Sequence, residues 1–380
     1  MSTPESFRRH FPIFNEKIFL NSCSKGALSD DVEAAYGAYL DSWRHEGSPW
    51  DDWVAMLERT RTAIASFVGC SADEIAVSYC ASTAAAGLLS ALSFDGPRNR
   101  IVVGDFEFPT LVHNLLVQQK RGASVVRVRA EGNRLPAESY ASELDERVLL
   151  VAASHVCFRN GYRQDVEAVV RSARSVGALT LIDDYQSTGT LPLDVRALQC
   201  DFLVTGTLKY LLGPSGLGFL YVRHELIDEL EPTVTGWFGQ EKPFDFDIER
   251  ATYHASARRF ETGTPPVPNL YAGLAGLELV RQLDLAAVRA HLTALASRLI
   301  EGAKARGWTV LTPEQSERRG PLVVLGCDDS QGAVDALAKE NIVVSARGAG
   351  IRISFHYYNL ADDVDEVFQV LDRRPDLMSH

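Results

Sequence analysis

From residue 100 onward the chain alternates short, largely apolar runs with amphipathic stretches. This rhythm restricts the fold more than any other feature of the sequence. Apolar runs lie at 101–103, 124–128, 148–152 and 178–182, and again on both sides of a glycine-rich turn between 202 and 222. Between them, 110–120 and 165–176 read as helices; in the second, Val166, Val169, Val170 and Ala173 recur at helical spacing. A run without polar alternation suits a strand buried on both faces, and strands alternating with helices build a mostly parallel sheet. The expected fold class is therefore α/β, a mostly parallel sheet flanked by helices. In such sheets ligands gather beyond the carboxyl ends of the strands. Phe108, His155, Asp183 and Lys209 all fall at or just past such ends, which argues for one common site.

Within that frame Lys209 stands out. It follows the apolar run that begins after Asp201, and it opens a turn holding Gly213, Pro214, Gly216 and Gly218. Upstream, the 178–182 run ends at Asp183, with Gln186 and Gly189 after it. A lysine and a strand-end aspartate are the minimum that pyridoxal 5′-phosphate (PLP) chemistry asks of a protein. The amine holds the cofactor as a Schiff base, and the carboxylate keeps the pyridine nitrogen protonated so that the ring accepts electrons. Taken singly, a loop lysine reads as a surface residue; its neighbours give it weight. Ser82 and Thr83 lie where a helix, 83–92, follows a short strand at 75–78. Free backbone N–H groups and the helix dipole suit a phosphate there, although Ser82 also reads as a plain cap.

The rest of the chain supplies the frame. Residues 1–24 read as an N-terminal arm and loop, with a short strand at 18–20 and a polar turn from Asn21 to Gly26. Residues 25–265 form the large domain, with further helices at 32–44 and 51–68. Its segment 232–266 is irregular and aromatic-rich, and such excursions are often functional. Residues 266–380 read as a smaller C-terminal α+β domain. It holds a long or broken helix at 270–306, strands at 308–311, 322–325, 342–345 and 351–354, and helices at 331–340 and 361–373.

The 380 residues carry a formal net charge of −12. Nucleic acid and anionic membranes seek basic surfaces, so neither is expected as a partner. A local basic pocket for a small anion stays open. No apolar run approaches about 18 residues, so no membrane span is expected. The N-terminus lacks a signal-peptide pattern, and the six cysteines show neither metal-ligand nor disulfide spacing. The expected location is cytoplasmic, with reduced thiols.

Together these residues resemble the class V aminotransferase group of fold-type I PLP enzymes, which includes cysteine desulfurases, kynureninases and isopenicillin-N-epimerase-like proteins. The resemblance is carried by the combined spacing of Ile182-Asp183, Gln186, Gly189, Asp201-Phe202, Lys209 and Gly213-Pro-Ser-Gly216. It implies the PLP-dependent transferase fold of type I, with the cofactor on Lys209, Asp183 at the pyridine nitrogen and Gln186 at the phenolic oxygen. Ser82, Thr83 and Thr207 are implied at the phosphate, and Phe108 stacked on the ring. Gly263-Thr264 matches the segment through which a second subunit reaches the phosphate, which implies a homodimer with shared active sites. Arg352 matches the arginine that clamps the α-carboxylate of an amino-acid substrate, which a planar guanidinium does through two parallel bonds. Asn21, Ser22 and Ser24 fall where kynureninases cover the substrate, and Trp237 resembles an aromatic residue near the cofactor. Arg159 reads equally as pocket-lining or structural.

Two departures shape the expected chemistry. Cysteine desulfurases need a thiolate shortly before the carboxylate-binding arginine, and no cysteine lies between Cys327 and Arg352. Desulfurase activity is therefore not expected. Many members also place histidine where Phe108 and Leu208 stand, and without those imidazoles Lys209 is the expected acid–base group. The implied reaction removes the Cα proton of an amino acid to leave a quinonoid carbanion. Its fate separates an aminotransferase, a β-eliminating lyase (C–S lyases included) and an epimerase of the isopenicillin-N type. The resemblance is closest to the epimerase-like and kynureninase-like members, which often act on specialised substrates, and the expected activity is an aminotransferase or lyase acting on an unusual amino acid, sulfur-containing ones among them. The competing class is a non-catalytic PLP-binding or interaction protein; the intact set of Lys209, Asp183, Gln186 and Arg352 argues against it.

Overall fold

The computed structural model describes residues 3–380. The chain opens with helix α1 (Pro4–Arg8) and strand β1 (Ile18–Phe19), then two long helices, α2 (Asp30–Glu46) and α3 (Trp50–Val68). The alternation follows: β2 (Ile75–Ser78), α4 (Ala81–Ser90), β3 (Arg100–Gly104), α5 (Pro109–Leu116), β4 (Ser124–Val128), α6 (Ala137–Ala141), β5 (Val148–Ser154), α7 (Val166–Ser175), β6 (Leu179–Asp183), α8 (Val195–Leu198), β7 (Phe202–Gly206) and β8 (Gly218–Val222). The last third carries α9 (Val267–Arg281), α10 (Leu285–Ala305), β9 (Leu322–Gly326), α11 (Ser330–Lys339), β10 (Ile342–Val343), β11 (Ser345–Ala346), β12 (Gly350–Ser354) and α12 (Ala361–Leu371).

Seven strands form the main sheet in the order β2-β8-β7-β6-β5-β3-β4. Only β8 runs antiparallel to its neighbours, β2 and β7; the other pairs are parallel. The sheet is buried on both faces. Val102, Val151 and Ile182 belong to one apolar cluster, and Ile101, Leu150 and Leu181 to another. That two-sided burial is why the strands lack polar alternation. The register sets Ser154 opposite Asp183 and Asp183 opposite Val204, so the carboxyl ends of β5, β6 and β7 finish side by side.

The turn from β7 to β8 carries Lys209 and is gripped from two sides. Gly26 donates its N–H to the Leu208 carbonyl at 2.8 Å, and a side chain at Gly26 would collide with the Lys209 carbonyl oxygen. Gly189 has φ +94°, and a Cβ there would sit 2.7 Å from the Tyr210 carbonyl oxygen. Glycine is needed at Gly189 for both reasons.

Several elements differ from expectation. The stretch 308–311 makes only an isolated bridge, Val310 to Leu325. The 342–345 run splits because β10 pairs with β1 whereas β11 pairs with β12. The 270–306 helix breaks at 282–284, where the Asp284 carboxylate accepts from the Ala286 N–H at 2.9 Å and starts α10. Helix α9 packs on α2 and α3, so it belongs with the helices of the large unit although a boundary at 266 assigns it to the small one. No helix among the described residues is long and apolar enough to cross a membrane.

Candidate active site

The ends of β5, β6 and β7 and the start of α4 enclose a cavity of about 220 Å³, lined by Ser82, Phe108, Ser154, Asp183, Gln186 and Lys209 among others. The Lys209 ammonium nitrogen lies 4.4 Å from the Tyr185 ring centroid and 5.8 Å from that of Phe108. Burial lowers the Lys209 amine from 10.5 to about 8, against the opposing pull of Asp183. Burial in turn raises the Asp183 carboxyl, opposed by the Tyr185 N–H that donates to it at 3.0 Å and by Lys209. Gln186 donates its amide to the Cys23 carbonyl at 3.1 Å, and its side-chain oxygen is buried without a partner among the described residues. The Phe108 ring meets Phe158 edge-on, with centroids 5.0 Å apart at 72°.

At the start of α4, Ser82 lines the cavity, whereas Thr83 braces the turn. The Thr83 hydroxyl accepts from the Cys80 N–H at 3.2 Å, donates to the Cys80 carbonyl at 2.9 Å and meets the Ser78 hydroxyl at 2.7 Å. Thr207 is buried and does not line the cavity. Its hydroxyl donates to the Pro214 carbonyl at 2.8 Å and closes the lysine turn.

Arg352 is 1% exposed on β12. It donates to the Phe158 carbonyl at 2.7 Å, to the Ser24 hydroxyl at 2.7 Å and to the Ser345 hydroxyl at 3.4 Å. Three of its five N–H groups are thereby used, and one remains on each terminal nitrogen. It pairs with no carboxylate among the described residues, which is unusual for a buried cation. Asn21 bridges to Ser354 beside it, and the Ser22 hydroxyl bonds that of Tyr358 at 2.7 Å. The loop 21–24 is thus tied to β12, next to the cavity wall rather than in it.

Three expected residues stand away from the cavity lining. Trp237 packs in an aromatic cluster with Trp50, Phe238, Phe244 and Phe246. Thr264 is exposed, and its carbonyl accepts from the Tyr79 hydroxyl, just before α4. Arg159 is exposed and donates to the Asp105 carbonyl at 2.5 Å. His155 also leaves the common site. It follows Ser154 on the strand, so alternation turns it to the opposite face, where its Nδ1 meets Asp184 at 2.7 Å. Conversely, Tyr185 and Phe158 line the cavity without having been expected there. Tyr185 sits between Asp183 and Gln186, and that position was the available signal. Phe158 lies in a loop whose path the sequence does not reveal.

One amine, one carboxylate, one half-partnered amide and one helix N-terminus thus face an otherwise mainly apolar cavity. This donor set suits a phosphorylated pyridine aldehyde. Comparison with known proteins agrees. The sequence matches the family described as "Aminotransferase class-V" over residues 41–367. It is 32% identical to the uncharacterized aminotransferase YcbU of Bacillus subtilis, across 96% of this chain and 97% of that one. It is 27% identical to a kynureninase of Shouchella clausii, across 96% and 90%. In structure it superposes on an apo cysteine desulfurase of Thermococcus onnurineus with a TM-score of 0.88, at 23% identity and 98% coverage of both chains. The chain belongs to the class V aminotransferases, whose cofactor is pyridoxal 5′-phosphate.

Proposed function

We propose that this protein acts on an amino acid by removing its Cα proton, as an aminotransferase or a β-eliminating lyase. The observation that carries the reading is the buried, carboxylate-free Arg352 beside the Lys209 cavity. A buried cation without a counter-charge is costly. The α-carboxylate of an amino acid supplies that charge and accepts the two remaining N–H groups of the guanidinium.

Each residue then has a task. Arg352, fixed by Phe158, Ser24 and Ser345, holds the carboxylate and orients the Cα–H bond. Lys209 would hold PLP, and its amine, lowered by burial, is the group at the cavity that can accept and return the Cα proton. Among the described residues no histidine lines the cavity and Asp183 is its only carboxylic residue, and burial keeps the Tyr185 phenol firmly protonated. Asp183 would meet the pyridine nitrogen, Gln186 the ring oxygen, Ser82 and the start of α4 the phosphate, and Phe108 a ring face. When bound, PLP supplies the electron sink for the charge left on Cα.

Persulfide transfer is left out of this reading because Cys327 is a poor thiolate. Burial pushes its thiol up to about 11, and its sulfur lies 3.7 Å from that of Met378. The active unit is read as a homodimer, since the exposed Thr264 loop sits against Tyr79 at the outer side of the phosphate turn. The cytoplasm is the proposed location.

The test is a panel of L-amino acids given to the purified holoenzyme and to Lys209→Ala. Keto acid, ammonia and sulfide are measured. Turnover that vanishes in Lys209→Ala supports the reading. Conversion of the cofactor to its amine form without added keto acid marks the aminotransferase, and repeated release of ammonia or sulfide marks the lyase. Unchanged turnover in Lys209→Ala sinks it.

A further inference from the structure

Three guanidinium groups meet Phe158 at the cavity wall, two beside its ring and one at its carbonyl. Phe158 lines the cavity, and its carbonyl accepts from Arg352 at 2.7 Å. The Arg347 guanidinium lies 5.8 Å from the Phe158 ring centroid and that of Arg159 lies 6.0 Å from it. None of the three pairs with a carboxylate among the described residues. The Asp105 carboxylate is engaged by Arg127 at 2.6 Å. Arg159 is fastened to the Asp105 carbonyl, whereas the Arg347 side chain has no hydrogen bond or ion pair among the described residues. Arg347 sits in the short hairpin between β11 and β12, one turn away from Arg352. Both arginines are close enough to Lys209 to depress its basicity.

An ordinary amino acid brings one carboxylate to this wall, and Arg352 takes it. The local positive charge then still exceeds the negative, and the excess lies on Arg159 and Arg347 beside Phe158. We infer that the substrate is an amino acid whose side chain carries a second anionic group, a carboxylate or sulfinate, and that Arg347 holds that group. This rests on the reading of Arg352 as the α-carboxylate clamp. Arg347 is exposed and lies beside the Phe158 ring without a hydrogen-bonding protein partner among the described residues, so its fork is free for a two-oxygen anion. The arrangement discriminates by charge: a neutral side chain of the same shape leaves Arg347 unpaired.

The experiment uses the holoenzyme and matched pairs: L-aspartate against L-asparagine, L-glutamate against L-glutamine, and L-cysteine sulfinate against S-methyl-L-cysteine. Dissociation constants come from the change in visible absorbance, independent of turnover. At least one acidic member binds about fivefold tighter than its neutral partner, the size of one partly exposed charge pair. Arg347→Met brings that ratio to about one, Arg347→Lys keeps part of it, and added salt narrows it in the parent. A ratio near one in the parent for every pair, or a ratio unchanged in Arg347→Met, overturns the inference while amino-acid binding itself stands. Absence of any spectral response to all six compounds, with the cofactor bound, overturns the underlying reading as well.

Discussion

The depressed basicity of Lys209 has a kinetic consequence before any substrate is present. Only a neutral amine attacks the PLP aldehyde. An ordinary lysine at 10.5 is neutral in about one molecule per thousand at pH near 7.5, whereas one at about 8 is neutral in about a quarter of them. Capture of PLP by the apoenzyme is therefore favoured by roughly two hundredfold over a free lysine side chain through ionisation alone. The fall from 10.5 to about 8 corresponds to about 3 kcal/mol, which burial supplies against the attraction of Asp183. The perturbations are pH and Asp183→Asn. Apoenzyme is mixed with PLP in a stopped-flow instrument and the visible absorbance followed from about pH 6 to about pH 10; N-acetyl-lysine, run alongside, corrects for titration of PLP itself. The rate constant rises with pH, with its midpoint around 8, and levels off above it. In Asp183→Asn the midpoint moves lower, because the carboxylate that raised the amine is gone. A midpoint near 10.5 in the parent, or one that rises in Asp183→Asn, refutes the reasoning.

Other consequences are open to direct test. Burial raises the Glu107 carboxyl from 4.5 to about 8, although it accepts from the Ser154 N–H at 2.7 Å and the Ser154 hydroxyl at 2.6 Å. A carboxyl raised on folding lends stability below its unfolded value that is lost as pH climbs through the folded one. Urea titrations should therefore show the parent losing ground to Glu107→Gln between 4.5 and about 8; parallel pH profiles would contradict this. Arg61 is buried and pairs with Glu261, which also accepts from the Val77 N–H at 2.8 Å. Arg61→Met should cost about 3–5 kcal/mol in denaturant melts because it strands the Glu261 charge, and the double variant with Glu261→Gln should recover part of that loss. Gly189→Ala should destabilise by more than about 1 kcal/mol, since it combines a positive φ with a collision at Tyr210, and calorimetry measures it. Light scattering should report a dimer, and a monodisperse, active monomer would remove the role proposed for Thr264.

The parts of this protein that are legible in its sequence are those dictated by local pattern. The two-sided burial of the sheet shows as apolar runs, and the ends of those runs locate Asp183 and Lys209. Positions set by long-range folding are less visible. Alternation along β5 decides that Ser154 rather than His155 faces the cavity, and the exact strand end sets that parity. Thr207 has the right chemistry for a phosphate, but the tight bend at Pro214 takes its hydroxyl. Trp237 is drawn into an aromatic cluster formed with Phe244 and Phe246, several residues further along the chain. Phe158 lies in a loop; Arg159 is its chain neighbour, whereas Arg347 and Arg352 reach it from one distant hairpin. No spacing rule predicts that meeting.

Lys209 is the residue proposed to hold PLP, and every other role follows from it. Holoenzyme reduced with borohydride, digested and analysed by mass spectrometry fixes the cofactor to one side chain. A single phosphopyridoxyl adduct is expected, on the peptide containing Thr207-Leu208-Lys209-Tyr210. An adduct on any other lysine, or none on a protein that retains its visible colour, would contradict it.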